Sequence, residues 1–171
     1  MRRILSTTQL PGLAAGIAAG LAIAWLCPNE PAYATTGDRA PQFSMVTLPV
    51  SDAALGVVDP LDGVFVLDFA SGQVKGAVLN RQNGKFASFL FRDLAKDFNV
   101  PPNQNPEFCM VTGFGQLPNQ AGKQMASGLL YIGELNSGKV AAYSFPWNEK
   151  GGGPAIALVP TDVFQWKQPL R

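Results

Sequence analysis

Asp68 and Glu134 are the residues whose type and setting come nearest to catalytic chemistry. Each ends a run of β-branched and aromatic residues and precedes a Ser-Gly pair, Ser71-Gly72 or Ser137-Gly138. Two carboxylates flanking a glycosidic bond can supply its acid and its nucleophile or base, which makes a glycosidase-like hydrolase the simplest enzymatic reading. Their place in turns also gives them plainer work, accepting backbone N–H groups. Asp59 and Asp62 sketch the start of a calcium loop, but Pro60 stands where an oxygen ligand is needed. Gly122-Lys123 continues into Gln124, and Gly113-Phe114-Gly115 runs into Leu117-Pro118, so neither makes a phosphate or dinucleotide loop. Thr35 as an N-terminal nucleophile would need ordered neighbours, and Thr36-Gly37-Asp38 reads as a loose lead.

The sequence contains no histidine. Histidine triads, Cys-His pairs, common zinc sites and His-carboxylate iron sites are thereby excluded. The expectation is a non-enzymatic chain with no catalytic residue, no cofactor and no metal. Of two cysteines, Cys27 lies in the N-terminal segment, which leaves Cys109 without an internal disulfide partner. Its neighbours Phe108, Met110 and Val111 predict a buried position in a core strand.

The aromatic residues make a different kind of candidate. Tyr143, Phe145 and Trp147 alternate at strand spacing around Pro146, with Trp166 further on. Such a row lines a core face. Alternatively Trp147, beside Asn148 and Glu149, anchors a sugar, peptide or protein partner. Phe145, Trp147 and Glu134 are the candidate binding residues.

The N-terminus carries an address. Arg2 and Arg3 precede an uncharged apolar run, Leu13 to Leu26, then Pro28 and Pro31, then Ala32-Tyr33-Ala34. Basic, apolar and small-residue regions in that order predict a signal peptide over residues 1–34 and an exported, periplasmic or extracellular, location. As a helix the apolar run spans about 21 Å, short of a hydrocarbon core of roughly 30 Å. Gly12, Gly16 and Gly20 keep the spacing of a packed transmembrane pair, so a membrane-tethered accessory subunit is the alternative if the segment is retained. Met1-Arg2-Arg3 also hints at twin-arginine export. Cleavage after Ala34 removes Arg2, Arg3 and Glu30 and leaves basic and acidic residues equal in number. Clustered positive charge, which nucleic acid demands, is absent from that composition.

The elements that must position these residues are β. Residues 35–42 read as a flexible lead, and 43–171 as one mainly β domain. Phe43–Leu48, Val64–Phe69, Gln73–Leu79 and Lys85–Phe91 are expected strands, the last three an antiparallel meander. Leu129–Leu135 and Lys139–Phe145 form a second hairpin, with Ala155–Val159 or Val163–Trp166 as further strand material. Gly72, Gly84 and Gly138 are placed where a hairpin loop needs a left-handed residue. Asp68, Asn80 and Glu134 stand ahead of those turns as acceptors. Arg92–Asn99 alone reads as helical, ending before Pro101-Pro102.

Two stretches carry a resemblance. Val66-Leu67-Asp68 with Ser71-Gly72-Gln73-Val74, and Tyr131-Ile132-Gly133-Glu134 with Ser137-Gly138-Lys139-Val140, resemble blade repeats of quinoprotein-type β-propellers. A blade takes ~40–50 residues, so the chain has length for about three, fewer than a closed ring of four to eight. From the N-terminal segment to Pro146-Trp147-Asn148 the chain also resembles small exported planctomycete-type proteins of unknown function. That resemblance implies export and no particular activity.

The expected fold is therefore mainly β, antiparallel hairpins with one short α-helix. The expected function is an exported binding or scaffold protein. Its partner is a protein or cell-envelope component, or further copies in a homo-oligomer, acting through sheet edges or the Phe145–Trp147 surface.

Overall fold

The structure, a computed structural model, describes residues 16, 37–50, 61–101, 103–115, 117–118, 125–147 and 153–168. Contacts separate Met1–Tyr33 from Ala34–Arg171, and everything below concerns the second unit. The N-terminal segment, Asp59-Pro60, Gly122-Lys123 and Asn148-Glu149 lie outside the described residues.

Among the described residues of this unit, ten strands and one short helix follow in order: β1 (Gly37–Arg39), β2 (Phe43–Pro49), β3 (Asp62–Asp68), β4 (Gln73–Leu79), β5 (Phe86–Asp93), α1 (Leu94–Asp97), β6 (Phe108–Phe114), β7 (Gly128–Glu134), β8 (Lys139–Ser144), β9 (Ile156–Ala157) and β10 (Val159–Gln165). They form two sheets, one ordered β1-β2-β3-β4-β5-β9 and the other β10-β8-β7-β6. Every described pairing is antiparallel except the short β5–β9 contact. The mainly antiparallel β fold with one short helix is the fold the residue pattern predicts.

Alternation along the strands sends one set of side chains inward. Val46 and Leu48, Phe65 and Leu67, Val74 and Val78, and Leu90 form the first sheet's inner face. Phe108, Met110, Leu130, Ile132, Ala141 and Tyr143 do so for the second. Both sets belong to one buried cluster, joined by Leu94 and Phe98 from the α1 region and by Leu158. Each fully buried side chain of this size contributes about 1.5–3 kcal/mol relative to exposure.

Three turns share one geometry. Gly72, Gly84 and Gly138 have φ of 64°, 67° and 68°, the left-handed region a side chain disfavours. Each donates its N–H to the carbonyl four residues earlier, on Asp68, Asn80 or Glu134. The side chain of that same residue accepts an N–H from the residue two positions on, at 2.8–3.1 Å.

Three local expectations are corrected. Residues 37–39 of the supposed lead pair with Ser44–Val46 as an edge strand. The helix covers only Leu94–Asp97, because Arg92 and Asp93 remain paired with Val74 and Gln73 in β5. Cys109 is exposed: on β6 the inward positions are Phe108 and Met110, so alternation turns the residue between them outward.

Candidate functional site

The binding residues expected from sequence occupy three different situations. Phe145 is buried, its ring 5.4 Å from that of Phe65. It presents no surface to a partner. Trp147 is half-buried against the core, and Pro146 beside it bridges Met125. Trp166, on the C-terminal turn, is the exposed tryptophan among those described, with the Lys167 ammonium 5.3 Å from its ring.

Glu134 is buried and fully employed. Its Oε1 accepts the N–H groups of Glu107 (3.3 Å) and Asn136 (3.1 Å), and its Oε2 accepts that of Ser137 (2.6 Å). Burial pushes its carboxyl up, but these hydrogen bonds outweigh burial and leave it below the ordinary value. Asp68 is held low by the Ser71 hydroxyl and the Ala70 N–H. The two carboxylates end strands of different sheets, and each is committed to its own turn. An acid for proton transfer would need a raised pKa, and both shifts run the other way.

Glu134 also makes a pH prediction. A carboxyl whose folded pKa lies below its unfolded value stabilises the fold above the unfolded value. That contribution fades as pH falls through the folded one. Glu134→Gln should therefore lose about 1–2 kcal/mol at neutral pH, and the difference from the parent should shrink on acidification below the ordinary carboxyl range. Denaturant titrations across pH measure this directly. A difference independent of pH would show that the charge is not what the turn amides recognise.

A polar group in the interior went unseen in the sequence. The Arg92 Nε and terminal nitrogen reach both Asp97 oxygens at 2.7 and 2.6 Å. The Tyr143 hydroxyl donates to Asp97 at 2.8 Å, and Arg92 also donates to the Leu158 carbonyl at 3.1 Å. Burial, then the Asp97 contact, raises the Tyr143 phenol far above its usual value. The Asp97 hydrogen bond raises Arg92 likewise, so both groups keep their protons. This cluster joins β5, α1, β8 and the β9–β10 link. Its role is structural.

Two depressions lie among the described residues. One, of about 430 Å³, lies between β1–β2 and β6 and is lined by Asp38, Arg39, Ser44 and Cys109 among others. The other, of about 250 Å³, lies beside Asn99, Gln104 and Glu134. Among the described residues no three acidic or cysteine side chains gather as a metal site.

The outer face of the six-stranded sheet departs most from what a water-facing sheet should be. An antiparallel sheet with one solvated face normally alternates apolar-in with polar-out. Here the outward positions on β5 are Phe86, Phe89 and Phe91, exposed by 53%, 50% and 46%. Register sets Phe86 opposite Leu79, Phe89 opposite Ala77, and Phe91 opposite Lys75. Ala77 and Lys75 in turn face Val64 and Val66 on β3, and Val66 faces Met45 on β2. Phe43, 43% exposed, completes the face. Between the carboxylates at its margins, Lys75 is the single charged side chain on this surface among the described residues.

A bulge explains how three phenylalanines come to share the face. Val78 pairs with Ser88 but Leu79 pairs with Phe86, so Ala87 is an extra residue on β5. Were Ala87 held in regular alternation instead, Phe86 would point to the face opposite Phe89 and Phe91.

Comparison with protein-family models, with curated proteins and with solved structures finds no match to this chain.

Proposed function

We propose that this chain is an exported, non-enzymatic binding or scaffold protein whose contact surface is the outer face of its six-stranded sheet. The observation that carries the reading is the row Phe86, Phe89 and Phe91 with Met45 and Leu79, all well exposed on one face. Soluble monomers rarely leave an apolar patch of more than a few hundred Å² open, and larger ones mark interaction sites. The order of basic, apolar and small residues before Thr35 supports export. The engagement of Asp68 and Glu134 by turn amides supports a protein that binds rather than hydrolyses.

Covalent footprinting tests the surface. Phe86, Phe89, Phe91 and Met45 should label less in intact cells than in purified protein diluted until it sediments as a monomer. Val163 and Trp166, exposed near the other sheet, should label equally in both. Equal labelling of the phenylalanine face would overturn the reading. N-terminal sequencing of the cell-derived protein tests export, with Thr35 as the expected first residue.

A further inference from the structure

Resting on that reading of the face, we infer that its occupant is a second copy of this chain, packed sheet to sheet. The face has relief. Its tall side chains stand on β5, while the neighbouring outward positions Val64, Val66 and Ala77 are small and half-buried. A ridge thus runs alongside a trough, one or two strand spacings apart at ~4.8 Å each. A two-fold axis parallel to the strands and passing over β4 lays the ridge of each copy into the trough of the other. One patch then serves both sides, as an isologous interface requires.

The areas agree with that arrangement. Four phenylalanines about half exposed leave roughly 400 Å² open, and Met45, Leu79 and the trough residues bring the apolar surface to about 600 Å². A standard interface buries ~800 Å² per partner, of which about 60% is apolar. The patch therefore supplies the apolar share of one stable dimer. Carboxylates sit at the margin, Asp62, Asp68 and Asp93 with Asp38 beside Met45 on the edge strand, whereas Lys75 lies by the central axis near Asp68. Like charges meeting across the axis oppose pairing, so added salt should tighten the dimer.

Sedimentation velocity of the purified chain over a concentration series is the test, with Phe89→Lys and, on the opposite sheet, Phe164→Lys. The parent should dimerise. Phe89→Lys should raise the dissociation constant at least ~30-fold and Phe164→Lys should leave it within about twofold. Val64→Cys with Phe89→Cys, in a chain whose Cys27 and Cys109 are changed to Ser, should oxidise to a covalent dimer. The two sites lie two strands apart, too far for a bridge within one copy. A chain that stays monomeric while its face is protected in cells overturns the second copy and leaves the contact surface standing. A monomer with an unprotected face overturns both. A dimer indifferent to Phe89→Lys overturns the arrangement proposed here.

Discussion

Gly128→Ala should be among the most damaging single methyl additions to this protein, lowering stability by about 3 kcal/mol, the upper part of the usual overpacking range. Gly128 opens β7 opposite Phe114, where the second sheet passes the end of β2 in the first. A methyl built there would overlap the Leu48 side chain and the Pro49 carbonyl oxygen. Leu48 is fully buried, so it has no free space into which to turn. The carbonyl belongs to backbone and moves only if a strand moves. Gly84→Ala makes the matched control. Its φ of 67° is unfavourable for alanine, but nothing lies within 4 Å, so only about 1 kcal/mol is expected. Denaturant unfolding of both variants gives the comparison, and a Gly128→Ala protein within ~0.5 kcal/mol of the parent would mean the sheets do not meet so closely.

Asp97→Ala should cost about 2–4 kcal/mol, because it strands two donors at once. The Arg92 side chain is 25% exposed and keeps some access to water, whereas the Tyr143 hydroxyl sits in a residue with no exposed surface. Tyr143→Phe alone should cost less, about 1–2 kcal/mol, since Asp97 keeps its Arg92 pairing. Because the groups share one acceptor, Asp97→Ala with Tyr143→Phe should be milder than the sum of the two. Additive losses would deny the coupling. The same tyrosine sets an alkaline limb. Its phenol is raised, so its contribution is complete below the unfolded phenol value of ~10 and is lost as pH climbs beyond it. Tyr143→Phe should flatten that limb.

Legibility of the sequence followed the range of the interactions. Gln73–Leu79 has the bounds its alternation predicts, and Gly72, Gly84 and Gly138 take the left-handed conformation their turn chemistry demands. Those are local properties, settled within a few residues. Cys109 went astray because a run of apolar neighbours does not say which parity faces the core. Arg92, Asp97 and Tyr143 meet from three elements, and a spacing of five along a chain is no helical signature. Phe86 joins the phenylalanine face only because a bulge takes Ala87 out of the alternation. Phe89 and Phe91 around inward Leu90 did carry a signal: both sides of that strand are apolar, the mark of a strand covered on both faces.

The segment Ile156–Gln165 belongs to both sheets. It runs beside Leu90 and Phe91 as a parallel strand, drops Leu158 into the core, and continues along β8 in the other sheet. Its partners precede it in the chain by as many as 67 residues, as in the Leu158 N–H donated to the Phe91 carbonyl. Ribosomal synthesis delivers this stretch after every other described strand. A nascent chain can assemble its β2–β5 meander early from near neighbours, yet β5 and β8 keep bare edges until the final strands arrive. The time between those two events is when strand-to-strand aggregation threatens most.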